Sequence, residues 1–239
     1  MSSIKTNTHN SPQYLNLSLA LALIVPLSVG IGHAQQLRQG ISVQMAPTTH
    51  ALAYVAADNA DAWIVSATAE GELYFGVKPA TPDQLADEMK ATPRHRDQNL
   101  YIKADARVPF VQVVRVLQAG REVGFESPVL LTAQPVASAP GTVMPPNGLE
   151  VLIGPPAGTV ATVVQLLSSG QARPLLRVND DEISWSALED TLRRHFQKGD
   201  EKVVLLKADE HLPFGQVVQA IDTCRATGAR VVLATSPSQ

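Results

Sequence analysis

Apolar residues recur at helical spacing in two places along the chain: Phe110, Val113, Val114 and Leu117, then Phe214, Val217, Val218 and Ile221. This i, i+3, i+4, i+7 stripe predicts an amphipathic helix packed on a sheet. Each stripe lies between short continuous apolar runs, Leu100–Ile102 and Val129–Leu131 around the first, Val203–Leu206 and Val231–Leu233 around the second. Such runs predict strands covered on at least one face. Pro109 and Pro213 stand just before the stripes, where a missing N–H costs least, and Gly124 and Gly228 stand just past them, where a left-handed residue can end a helix. The unit reads as strand, helix, strand with a crossover long enough for a parallel pair.

The two units are copies. Residues 103–124 read KADARVPFVQVVRVLQAGREVG and residues 207–228 read KADEHLPFGQVVQAIDTCRATG, identical at ten of 22 positions at a fixed offset of 104. The shared signature includes Lys103, Asp105, Pro109, Phe110 and Gly124, matched by Lys207, Asp209, Pro213, Phe214 and Gly228. A second helix precedes each copy. Thr81-Pro82-Asp83-Gln84 opens one, with Leu85 and Met89 as its apolar positions. Ser184 or Ser186 caps the other, with Leu188 and Leu192 as equivalents. Ahead of these helices lie β-prone stretches, 62–68 and 72–76 in one half, 162–167 and 174–179 in the other. The expected fold class is α/β (α+β): an N-terminal hydrophobic helix, then two tandem small domains, each a mixed β-sheet with two helices packed on one face.

The expected boundaries are an N-terminal tail and anchor over 1–36, a first domain over 37–133, a Pro/Ala-rich linker over 134–147 and a second domain over 148–239. The linker sequence QPVASAPGTVMPPN suits a semi-extended tether. The front end carries no Asp, Glu, Lys or Arg from Thr6 to Leu37. Within it, Leu15, Leu17, Leu19, Leu21, Ala22, Leu23, Ile24, Val25, Leu27, Val29 and Ile31 make a hydrophobic stretch whose helix would be ~26 Å long, close to the ~30 Å of a bilayer core. A secretory signal cut after Gly32-His33-Ala34, before Gln35, fits the same residues, and both readings export the rest of the chain.

Composition narrows the chemistry. The chain has 239 residues and a formal charge of −3, and residues 37–135 and 136–239 each carry nine basic and eleven acidic side chains. No basic surface for nucleic acid is expected. The single cysteine, Cys224, rules out an internal disulfide and falls on the helical stripe, where it reads as a small buried hydrophobe. Trp63 and Trp185 read as packing residues. The six histidines show no i, i+3 or i, i+4 pair, so no metal or cofactor is expected. Asp105 and Asp209 invite a catalytic reading at the ends of strands, but neither has a matching acid/base partner in both copies. Capping the turn into the following helix is the simpler role. Lys103 and Lys207 are expected to hold the strand ends in water, because no glycine-rich phosphate loop accompanies them.

The order of these features resembles the ExbD/TolR family: a hydrophobic segment, Gln39-Gly40-Ile41-Ser42-Val43, a capped helix, then Leu-Tyr-Ile-Lys-Ala-Asp and Pro-Phe ahead of a Val-Val helix ending in glycine. The resemblance spans about residues 16–131, and 148–235 for a second copy of the periplasmic part. It implies a single-span inner-membrane protein with its bulk in the periplasm, an oligomer working beside an ExbB/TolQ-like membrane subunit and a TonB/TolA-like periplasmic protein. It implies no enzyme activity and no cofactor. It also favours an uncleaved anchor, since Asn16 to Ala22 is similar to the family's entry into its membrane span. Here the chain departs from the pattern, because Ala22 occupies the position of the family's intramembrane Asp. The competing expectation is a periplasmic scaffold released by cleavage before Gln35.

Overall fold

The computed structural model of the chain describes residues 40–93, 98–134, 145–154, 161–196 and 202–234. The hydrophobic stretch 15–31 and the cleavage site before Gln35 lie outside the described residues, as do 135–144 of the Pro/Ala-rich tether. Among the described residues, no helix is long and apolar enough to cross a membrane.

The first repeat contains β1 (Leu52–Ala53), β2 (Trp63–Ala67), β3 (Leu73–Phe75), β4 (Lys78–Ala80), α1 (Pro82–Ala91), β5 (Leu100–Ala104), α2 (Phe110–Glu122) and β6 (Val129–Thr132), and β7 (Asn147–Glu150) joins its sheet. The seven strands run in the order β1-β7-β6-β5-β2-β3-β4, with β2, β5 and β6 parallel and the remaining pairs antiparallel. The second repeat contains β8 (Leu152–Ile153), β9 (Thr162–Leu167), β10 (Leu175–Val178), β11 (Asp181–Ile183), α3 (Leu188–Phe196), β12 (Val203–Ala208), α4 (Phe214–Ala226) and β13 (Arg230–Leu233). Its six strands run β11-β10-β9-β12-β13-β8.

Alternation along the strands explains the layers. On one face of the first sheet Trp63, Val65, Leu100, Ile102 and Leu130 pack with Leu85 and Met89 of α1 and Phe110, Val113 and Leu117 of α2. The same core continues into the second repeat through Val164, Leu206, Val231, Leu192, Phe214 and Ile221. Each such side chain, fully buried, contributes about 1.5–3 kcal/mol. The opposite face of the first sheet is buried too: Ile64, Tyr101, Val129 and Leu131 lie under Met45, Tyr54 and Ala57. This double coverage is why β5 is buried throughout, Lys103 included.

Local signals act where expected in the helices. Thr81 is the N-cap of α1 with Pro82 at N1, although its hydroxyl bonds the Gln84 side chain at 2.9 Å and not a backbone N–H. Between the two serine candidates, Ser184 is the cap, and the chain passes through a 3-10 turn over Trp185–Ala187 before α3 begins. Gly124 (φ +87°) and Gly228 (φ +78°) take the left-handed conformation just after α2 and α4. The sheets differ from expectation in two strands. The runs ending at 76 and 179 are followed by β4 and β11, the latter entered through Asn179 and Asp180, both at positive φ, as a tight two-residue hairpin requires.

Residues 148–150, expected at the head of the second domain, pair instead with β6 of the first sheet. Two residues later Leu152 and Ile153 pair with β13 of the second sheet. Val151 sits between, 1% exposed, its N–H donated to the Pro128 carbonyl. One short segment thus stitches both sheets.

Candidate functional site

The Lys-Ala-Asp signature ends β5 and β12 and leads into α2 and α4. Asp105 is 3% exposed and gathers several donors. Its Oδ1 accepts from the Arg107 N–H (3.0 Å) and Nε (2.8 Å), and its Oδ2 accepts from Arg107 Nη2 (3.0 Å) and from the Gln44 N–H (3.1 Å). The Arg107 guanidinium holds the Asp105 carboxyl below the usual carboxylate range, against the opposing effect of burial. Asp209 is simpler, accepting the His211 N–H at 2.9 Å.

Lys103 is placed quite differently from Lys207. Expected to keep a strand end in water, Lys103 is 2% exposed, whereas Lys207 is exposed. The reason is the segment 40–58, which crosses the outer face of the first sheet over it. Gly40 packs so close that a Cβ there would lie 2.8 Å from Ser66 Oγ and 3.7 Å from the Lys103 Cδ. Burial pushes the Lys103 ammonium down to about 8, with Asp58 opposing that shift.

The two signatures meet each other. Pro109 and Pro213 form an antiparallel bridge. On either side, Phe110 N–H donates to the Leu212 carbonyl and Phe214 N–H to the Val108 carbonyl, both at 2.9 Å. Beyond these, Val111 N–H donates to the Glu210 carbonyl (2.9 Å) and Gly215 N–H to the Ala106 carbonyl (2.8 Å). Every contact maps onto its mate by the repeat offset of 104, so the interface has the self-complementary form of a two-fold dimer within one chain. The donors are the first N–H groups of α2 and α4, which no carbonyl inside their own helix can satisfy. Pro and Phe at 109–110 and 213–214 therefore serve the junction between repeats as well as the helix starts.

The segment 40–58 reaches across as well. After Ala46 and Thr48 bond to Ala133, Thr49 and His50 arrive at α4, where the Asp222 carboxylate accepts both backbone N–H groups (3.0 and 2.8 Å) and the Thr49 hydroxyl (3.0 Å). Neither Gln44 nor Asp222 stands out in the sequence. The alternation Ile41, Val43, Met45 was the available hint that 40–46 is extended.

The remaining candidates pack. Cys224 is fully buried, and burial pushes its thiol up to about 12. Trp63 stacks edge-on against Phe75 at 5.3 Å, and Trp185 donates its ring N–H to the Pro174 carbonyl. Among the described residues no group of three His, Cys, Asp or Glu side chains could hold a metal. His211 is exposed beside Asp209, and Asp105 faces only Arg107 and backbone, so the signatures do not assemble an acid/base pair. The arrangement offers turns, strand ends and backbone donors: chemistry for holding chain segments.

The chain matches the family of biopolymer transport proteins ExbD/TolR twice, over residues 31–135 and again over 131–238. No curated protein matches it. The family's members are transport accessory proteins, not enzymes, associated with the inner membrane and working with ExbB/TolQ and TonB/TolA partners. With nearly the whole span from residue 31 matched, and matched in two copies, the chain belongs to the ExbD/TolR family.

Proposed function

We propose that this chain is a membrane-anchored component of a proton-motive-force-driven inner-membrane complex for biopolymer transport. In this reading it supplies periplasmic partner contacts without the family's intramembrane carboxylate. The double family match carries the reading. The uncharged stretch Leu15–Ile31, directly ahead of the matched residues, supplies the anchor, and the two tandem domains, the first with Asn147–Glu150 added to its sheet, follow it into the periplasm. A carboxylate inside the bilayer is costly and is kept where protons move; with Ala22 at that position and no ionisable group from Leu15 to Ile31, this chain has nothing there to carry one. A neighbouring subunit would then hold the proton path.

The internal two-fold supports a structural role for the duplication. Two family domains that separate chains would have to bring together by association are joined here at high effective concentration. Of the repeat signature, Pro109 and Phe110 with Pro213 and Phe214 serve that junction, while Lys103, Asp105 and Gly124 and their counterparts Lys207, Asp209 and Gly228 have structural roles at the strand ends, turns and helix ends. Exposed sheet edges at β4 and β11 are available for an extended partner segment, and Pro79 makes β4 the poorer of the two. Co-purification from detergent-solubilised membranes tests the proposal. An ExbB/TolQ-like subunit should accompany the intact chain; a chain recovered repeatedly alone contradicts it.

A further inference from the structure

Residues 40–58 are held unevenly. Over 40–45, Ile41, Val43 and Met45 are only half-buried and Ser42 and Gln44 are exposed. The backbone there is fixed by Ile41 N–H donating to Ser66 Oγ (3.1 Å), Gln44 N–H to Asp105 Oδ2 (3.1 Å) and Ala106 N–H to the Gln44 carbonyl (2.8 Å). From Ala46 onward the hold is firmer, with Ala46, Thr48 and Ala57 buried. Ala133 N–H donates to the Ala46 carbonyl (2.9 Å), Thr48 N–H to that of Ala133 (3.1 Å), the Thr48 hydroxyl to that of Thr132 (2.7 Å) and Tyr54 N–H to the Pro146 carbonyl (2.7 Å). A stretch with few buried side chains and hydrogen bonds close to water opens at lower free energy than the rest of its fold.

What lies beneath 40–45 works against it. Gly40 is packed over the Lys103 side chain, which is 2% exposed, while its twin Lys207 at the same place in the second repeat is exposed. Closing the segment therefore takes an ammonium out of water, and opening returns it. Asp58 is the charge that faces Lys103 from the covering segment. Ser66 on β2 and Leu131 on β6 are uncharged, and Tyr74 on β3, next in the row after Ser66, donates its hydroxyl to Glu72 (3.1 Å). Along the same face, Asp105 is taken up by Arg107, and burial pushes the Tyr54 and Tyr101 phenols up, so both are neutral.

We propose that residues 40–45 are a strap that opens separately from the rest of the fold, pivoting at Ala46, and that the lysine beneath it sets how easily it opens. Closed, the strap breaks the two-fold likeness of the repeats by covering the Lys-Ala-Asp turn of the first. Open, it leaves that turn as accessible as its counterpart, where Lys207 is exposed and Asp209 half-buried. The direction of the pH dependence follows from the lysine. Under the strap Lys103 titrates at about 8, against about 10.5 in water, so opening takes up a proton between those values. The strap is loosest below pH 8 and tightens as the pH rises toward 10.5. This device goes beyond the proposed function and stands or falls independently of any membrane partner.

Amide exchange of the full chain in detergent tests this, read as protection factors so that the intrinsic pH dependence of exchange cancels. At pH 7 the amides of Ile41, Gln44 and Ala106 should be at least about tenfold less protected than those of Thr48, Ala133 and Ile102. Between pH 7 and 9.5 protection at the first three should rise by about tenfold or more. Lys103→Met should show a comparable gain already at pH 7, and Lys207→Met, which removes the exposed twin, should show none. Equal protection across the strap and Ile102 overturns the inference, as does a Lys103→Met chain whose strap exchanges like that of Lys207→Met. Should Lys103→Met fail to fold, the unaltered chain decides alone: strap protection that stays flat from pH 7 to 9.5 overturns the inference.

Discussion

Pro109 of the first repeat lies opposite Pro213 of the second as the centre of an antiparallel bridge. Proline has no N–H to lose at a helix start, so the bridge is completed by the residues around it, Phe110 and Phe214 donating across to Leu212 and Val108. Two helix N-termini satisfy each other's orphan donors, and the repeats become one body through backbone atoms that are insensitive to most side-chain changes.

The tightest point of that junction is Gly215, which stands where the first repeat has Val111. A Cβ at 215 would lie 3.1 Å from both the Ala106 Cβ and its carbonyl oxygen, so Gly215→Val must push the turns apart. We expect a loss of about 1–3 kcal/mol in chemical denaturation. Val111→Ala, on the roomier side, should cost less.

Lys103 makes stability depend on alkaline pH. Its ammonium is disfavoured in the folded chain, where it titrates near 8, compared with about 10.5 unfolded. Between those values the unfolded chain binds the extra proton, so raising the pH stabilises the fold. Denaturation midpoints should climb from about pH 8 to 10.5 relative to Lys103→Met, which lacks the titration. Parallel curves for the two proteins would show that Lys103 is not desolvated.

Asp105 acts at the other end of the scale. Arg107 lowers its folded value, so its contribution is complete above the ordinary carboxylate range and fades as the pH falls toward the lowered value. Asp105→Asn should be less stable at neutral pH and lose less as the pH falls below the ordinary carboxylate range, giving a flatter acid limb. Circular dichroism during acid titration reads this directly.

Asp222 holds Thr49 and His50 against the second repeat through two backbone N–H groups and a hydroxyl. Asp222→Ala should speed amide exchange at Thr49 and His50 by about tenfold or more, while exchange in β5 stays slow. The global cost should be about 1–2 kcal/mol, because the contact is only partly buried.

Much of this architecture is legible in the sequence because it rests on local periodicity. The stripes Phe110–Leu117 and Phe214–Ile221, the prolines before them and the glycines after them are short-range signals with one sensible reading. The stretch from Asn147 to Ile153 is different. It reads as one run at the head of the second domain, yet it serves both sheets, and nothing local marks the switch at Val151. Gly148 is the trace left behind: a Cβ there would meet Val129 Cγ1 at 2.5 Å, a constraint visible only once β7 lies against β6. Lys103 escaped for the same reason. Its twin Lys207 is exposed, and only the long-range passage of residues 40–58 tells the two apart.

The central claim is that these tandem domains are held at the inner membrane by residues 15–31. Fractionation of cells expressing a C-terminally tagged chain, followed by intact-mass measurement, tests it most directly. The account predicts one species that retains residues 15–31, in the inner-membrane fraction. A chain beginning at Gln35 in the soluble periplasmic fraction would contradict it.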